Sequence, residues 1–213
     1  MTDEEQTGAR VVSLDALRAL AHPLRVQLFS ALTSFGPATA SALAARLGES
    51  SGATSYHLRQ LERHGFVRED TTRGNGRDRW WERTPGVIEL LGPELADSEA
   101  GRAAGELVEE EFQRLEQERF TAFWRARSDF EPSWRTAAST FSTNIPLSPD
   151  ELAQFGREFE ALVHRYRGRD GDDPARRRVD IHLRAFPVVD PTATTTATTT
   201  TPTPPGEPEE AQQ

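Results

Sequence analysis

Four side chains within Ser50–Thr84 set hydroxyl and guanidinium donors along one short segment: Ser51, Ser55, Tyr56 and Arg59. On a helix they fall on or beside one face, opposite a stripe made by Thr54, Leu58 and Leu61. Such donors suit base edges and phosphate oxygens. On an isolated amphipathic helix, however, Ser and Arg are ordinary solvated groups, so the weight rests on the basic hairpin next in the chain. Arg73, Arg77, Arg79 and Arg83 crowd that hairpin, only partly offset by Asp78 and Glu82, and Gly74 and Gly76 flank Asn75 at its tip. Glycines there let backbone approach a phosphate closely. The expected contacts are Ser51, Ser55, Tyr56 and Arg59 in the major groove of double-stranded DNA. His57 sits at the edge, positioning the helix, while Arg73, Asn75 and Arg77 hold the flanking backbone or minor groove. A merely solvent-exposed turn is the competing reading of the hairpin.

Positioning these groups takes a fixed order of elements. Ser13 caps a run carrying Leu14, Leu17 and Ala21, and His22-Pro23 starts a second helix with Leu24, Leu28, Ala31 and Leu32. Gly36-Pro37 ends it. Thr39 caps a third helix with Leu43 and Leu47 inward, Gly48 closes it, and the polar-fronted helix then runs to His64-Gly65. Val67–Thr72 and Arg79–Thr84 read as strands around the glycine turn, with Trp80 and Trp81 assigned to packing rather than base stacking.

A long helix over Ser98–Phe130 comes next. Its wide apolar face (Ala104, Val108, Phe112, Leu115, Phe123, with Phe120 and Trp124) reads either as burial against residues 132–187 or as a dimer seam. Ser133–Ile145 is strand-like. Ser148-Pro149-Asp150-Glu151 is a capping box before a helix with Leu152, Phe155, Phe159, Leu162 and Tyr166, and Arg178–Phe186 alternates like a strand. Trp134, Phe141, Phe159 and Tyr166 read as plain core or as the lining of a small-molecule effector pocket. The fold class expected is mainly α with a small β component. It comprises a disordered arm (1–10), a winged helix-turn-helix domain (11–92), a long linking or dimerisation helix (98–130), a small α+β unit (131–187) and a disordered Thr/Pro-rich tail (188–213).

Composition narrows the function classes. The net charge of −9 over 213 residues is segregated: residues 11–90 hold ten Arg against eight Asp and Glu, while 1–10 carry −2 and 91–213 carry −9. Local patches therefore decide the partner. The chain has no cysteine, which excludes disulfides, thiolate nucleophiles and thiolate metal sites. With no signal-like or membrane-spanning run, a cytoplasmic protein without membrane contact is expected. The five His form no H-E-x-x-H arrangement, and no nucleophile elbow, phosphate loop or dinucleotide fingerprint occurs. No enzyme activity, cofactor or metal is expected. Glu109–Glu111, Glu160 with His164, and Asp180 with His182 read as solvated groups.

The segments ALAHPLRVQLFSAL, SALAARLG, SYHLRQLERHGFV and the RGNGR wing resemble the ArsR-type winged helix-turn-helix repressors over roughly residues 13–90. His22-Pro23-Leu24-Arg25 falls where that family has its A-x-P-x-R helix start, and Ser55–Leu58 on its S-x-H-L recognition-helix segment. The resemblance implies a homodimer whose paired recognition helices read an imperfect palindrome, usually to repress. Many such relatives sense metals, and here the chain departs from them. Ser41–Leu47 holds only Ser, Ala, Leu and Arg, and Ser98–Phe130 has no His. A winged helix used only for protein contact is the alternative of a different class.

Overall fold

The computed structural model describes residues 10–73, 79–86, 88–90, 92–166 and 175–189. Arg10 and Val11 form β1 (Arg10–Val11). Arg10, expected in the arm, is held there: its guanidinium donates to the His64 carbonyl at 3.2 Å and lies 5.4 Å from the Phe66 ring centroid. Ser13 accepts from the Ala16 amide and opens α1 (Leu14–Leu20). His22 caps α2 (Pro23–Phe35), its Nδ1 accepting from Leu24 N–H at 3.2 Å with Pro23 in the first turn. After β2 (Ala38–Thr39), Thr39 caps α3 (Ala40–Leu47), which closes on Gly48 at φ +71°, a backbone that a side chain resists. Ser50 then caps α4 (Ser51–Arg63) through the Ala53 amide.

The sheet is formed by β2, β3 (Val67–Glu69) and β4 (Trp80–Arg83), ordered β2-β4-β3 and antiparallel throughout. Trp81 lies opposite both Ala38 and Glu69. β5 (Ile88–Glu89) pairs in parallel with β1, joining the start of the chain to the residues after the wing. Then come α5 (Pro93–Asp97), α6 (Glu99–Ala126), a 3-10 turn at Arg127–Asp129, α7 (Pro132–Ala137) and α8 (Pro149–His164).

The core joins Leu17 and Leu20 of α1, Val26, Leu28 and Phe29 of α2, Leu58 and Leu61 of α4, Phe66, Trp81, and Ala104 and Val108 of α6. Phe29 sits edge-on to Phe66 at 5.9 Å and to Phe112 at 6.2 Å. Truncating Leu58 or Leu61, both fully buried, should cost about 2–5 kcal/mol in lost transfer energy and cavity. The long helix was expected to cover later residues or a second copy. Its first half packs on α1 and α2. Gln27 Nε2 donates to Glu111 Oε1 at 2.8 Å, and Arg119 Nη1 to the buried Ser30 hydroxyl at 3.0 Å. Beyond Val108 no residue of α6 is buried, and Phe120 and Trp124 stand exposed.

The chain divides into one unit of residues 1–143 with 173–180, and a second of 144–172 with 181–213. The strands expected over Ser133–Ile145 and Arg178–Phe186 are absent among the described residues. The first region is α7 followed by irregular chain, and the second is irregular throughout. Alternating side chains specify a strand only where a neighbouring ladder accepts it, and neither segment has one. In the first unit Arg178 donates to the Thr33 carbonyl at 3.2 Å, and Asp180, expected to be solvated, is ion-paired to Arg119 at 2.6 Å. In the second unit α8 begins with the expected capping box: Ser148 Oγ accepts from Glu151 N–H, and Glu151 Oε2 from Ser148 N–H at 2.7 Å. Most of the N-terminal arm, the wing tip and nearly all of the Thr/Pro-rich tail lie outside the described residues. No described helix is long and apolar enough to cross a membrane.

Candidate nucleic-acid interface

α4 is seated by Thr54, Leu58 and Leu61, all wholly buried, so rotation about its axis is fixed by packing. Ser51, Tyr56 and Arg59 consequently point outward, Tyr56 being 56% exposed. Ser55 is half-buried. With Arg59, one turn on, it lines a cleft of about 290 Å³ shared with Thr39, Ala40 and Ser41 at the start of α3, and with Arg79 and Trp81 of the wing. The ladder from Thr39 to Trp80 and from Ala38 to Trp81 ties the start of α3 to the wing. The cleft thus gathers the amide-rich end of α3, three hydroxyls and two guanidinia, a set suited to a phosphate.

His57 lies on the other flank of α4, where its ring centroid is 4.5 Å from that of His22, with Arg25 close by. Burial first, then the neighbouring His22 and Arg25, push the His57 imidazole below its ordinary pKa, with Glu49 opposing. His22 is lowered by burial and then by Arg25. Burial likewise lowers Arg25. His57 Nδ1 and Arg25 Nε are buried without a hydrogen-bond partner among the described residues.

At the wing base Asp70 ends β3 with an Asx-turn, its Oδ1 accepting from the Thr72 amide at 3.0 Å and hydroxyl at 2.6 Å. Those bonds and Arg73 hold the Asp70 carboxyl below its usual range. Arg73 pairs with Asp70 at 3.0 Å and lies 6.0 Å from the Trp80 ring centroid. Arg79 pairs with Glu69 at 3.6 Å, and Arg68 with Glu82 at 2.7 Å. Arg83 turns the other way, over the Phe29 ring at 5.6 Å and donating to the Gly86 carbonyl. It is a packing residue, which its place in the hairpin charge count did not suggest. Asn75 and Arg77 lie outside the described residues. Of the expected contacts, the structure therefore brings Ser55 and Arg59 into one cleft, sets Ser51 and Tyr56 on the open face, and turns His57 toward His22 with its ring edge-on to Tyr56 at 5.2 Å.

Thr39, Ser41 and Arg79 were not among the expected contacts. Thr39 carries a cap signal, and only the strand pairing reveals that this cap stands beside the wing.

A family model described as helix-turn-helix domain matches residues 20–70, the run from the end of α1 through β3. Among solved structures, reduced HlyU from Vibrio cholerae aligns at 23% identity over 43% of this chain and 79% of that chain, with a TM-score of 0.29. The adhesin competence repressor AdcR from Streptococcus pyogenes aligns at 15% identity over 68% and 81%, with a TM-score of 0.29. The transcriptional regulator Tm0710 from Thermotoga maritima aligns at 12% identity over 73% and 89%, with a TM-score of 0.27. No curated protein matches the chain. Residues 20–70 carry a helix-turn-helix domain.

Proposed function

We propose that this protein is a sequence-specific, DNA-binding transcriptional regulator of the ArsR type, acting as a homodimeric repressor on an imperfect palindrome. The observation that carries this reading is α4 itself: a helix locked by three buried residues, with hydroxyl, phenol and guanidinium groups outward and an anion-suited cleft beside it. In this reading Ser51, Tyr56 and Arg59 meet base edges. Thr39, Ser41, Ser55 and Arg79 hold backbone phosphate, and Asn75 and Arg77 extend the contact from the wing tip. Two copies would set half-sites roughly 34–36 Å apart. Selection from a random duplex library by the purified protein, followed by a salt titration on the best site, tests it. The expected result is a two-fold motif with steep salt dependence.

One observation favours a second reading, a winged helix for protein contact. Arg68, Arg73 and Arg79 are each ion-paired to a carboxylate of the wing itself. The two more open pairs, Arg68–Glu82 and Arg79–Glu69, are of a kind worth about 0–1 kcal/mol, so phosphate can displace them. Weak, sequence-blind binding in the same selection would establish the protein-contact reading instead.

A further inference from the structure

We propose that Arg25 forms a second phosphate-binding site, on the flank of α4 opposite the cleft, and that it takes a backbone phosphate of the DNA strand the cleft does not reach. The proposal rests on the DNA-binding reading and adds one named contact to it. A helix about 10–12 Å across, lying in a groove about 12 Å wide, has a phosphate backbone along each flank. The cleft of Ser55, Arg59 and Arg79 serves one flank. On the other stand His22, Arg25 and His57. The two imidazole centroids are 4.5 Å apart, and His57 is edge-on to the exposed Tyr56 at 5.2 Å.

Arg25 is a cation that the fold leaves uncompensated. It sits half-buried in the first turn of α2, where positive charge opposes the helix dipole and no acidic residue balances it. Arg68, Arg73 and Arg79 each have a carboxylate of the wing. Among the described residues Arg25 is paired to none, and its guanidinium donates no hydrogen bond. Its Nε is buried without a partner, as is Nδ1 of the neighbouring His57. Glu49 acts on the His57 charge but forms no ion pair with Arg25. Burial disfavours the Arg25 charge, and Tyr56 of the recognition face opposes that effect. The backbone amides nearby are already spent: Leu24 N–H donates to His22 Nδ1, and those of Arg25 and Val26 to the His22 carbonyl. An anion on this flank is therefore met by side chains, and a guanidinium without a partner is the donor that suits a phosphate.

On a duplex recovered by selection, single phosphates are replaced in turn by neutral methylphosphonates, and affinity is measured for the wild-type chain, Arg25→Gln and Arg79→Ala. Arg25→Gln should weaken binding about tenfold, as expected for one charge-assisted contact, and lower the salt slope by about one. At least one methylphosphonate should weaken the wild type and Arg79→Ala yet leave Arg25→Gln unchanged, because that variant has already lost the contact. Arg25→Lys, which keeps the charge, should recover part of the affinity. The melting temperature of free Arg25→Gln should stay or rise, since an unpaired cation is removed. Methylphosphonates that weaken all three proteins alike, or an unchanged salt slope, would overturn the Arg25 site and leave the DNA-binding reading standing on the cleft. A variant that melts lower and keeps the wild-type phosphate pattern would make Arg25 a structural residue and overturn the site too. A wild-type chain that selects no duplex would overturn both readings.

Discussion

Thr54 is wholly buried in α4, and its hydroxyl has no hydrogen-bond partner among the described residues. An unpaired buried hydroxyl costs about 1–3 kcal/mol, whereas a methyl of the same shape costs nothing in desolvation. Thr54→Val should therefore leave the melting temperature unchanged or raise it, and a loss beyond about 1 kcal/mol would show that the hydroxyl is satisfied. The His22–His57 pair gives a pH dependence of definite sign. Both imidazoles are lowered by burial and by positive neighbours, so near and below the ordinary His value of about 6.5 the unfolded chain binds more protons than the folded one. Stability should thus be full above about pH 7 and fall as the pH drops through 6.5 toward the lowered folded-state values. Protonating His22 at Nδ1 also removes the acceptor that caps Leu24. His22→Asn, which keeps a capping oxygen, should flatten the fall in urea midpoint between pH 7.5 and 5.5. Superimposable wild-type and variant profiles would locate the dependence elsewhere. Asp70, Glu111 and Glu151, all lowered, lose their contributions only in the more acidic carboxylate range.

Among the elements, the start of α6 is the tightest. A Cβ at Gly101 would stand 2.1 Å from the Leu95 carbonyl oxygen and 2.6 Å from Ser98 Oγ, the hydroxyl that caps the helix through the Gly101 amide. Gly101→Ala should destabilise by at least about 1–3 kcal/mol, despite the better helix propensity of Ala, because the α5–α6 junction must open. A stabilised variant in a denaturant titration would contradict that packing. On the proposed DNA-binding reading, Arg79→Ala should weaken DNA binding across sequences and lower the salt slope by about one, with an unchanged slope removing Arg79 from the phosphate contacts. Legibility in the sequence tracks physical range. Ser13, Thr39 and Ser148 are readable caps because each bonds an amide three residues on, and Thr54, Leu58 and Leu61 are readable as a stripe because helix periodicity alone aligns them. Pairing between distant segments is not written locally. The two-residue β1–β5 ladder has no period to detect, and the alternation in Arg178–Phe186 has no neighbouring strand to meet. Arg79 and Arg83 look alike in the chain. Only the register of β4, with Trp81 buried between them, sends one to the cleft and the other over Phe29.

At the scale of the whole molecule, folding energy and charge are both unevenly spread. Among the described residues the buried ones all lie in the first unit, within Val12–Val108, and none lies in the second. The chain carries −9 overall, yet residues 11–90 are mildly positive, so repulsion from the rest of the chain should restrict productive DNA encounter to the α4–wing face. Unequal burial makes opening free energies unequal: amides of α2 and α4 are released only by unfolding the core, whereas those of α8 are released by local fraying. Where a second copy covers the chain, protection becomes a mass-action quantity, and the core's does not. Hydrogen exchange read by mass spectrometry over a hundredfold range of protein concentration separates the two. On the homodimer reading, peptides from the far end of α6, where Phe120 and Trp124 stand exposed, should exchange more slowly as concentration rises, while peptides from Pro23–Phe35 and Ser51–Arg63 keep one rate. Concentration-independent exchange throughout α6 would mean that its exposed aromatics meet no second chain. Dependence confined to Pro149–His164 would move the seam to α8.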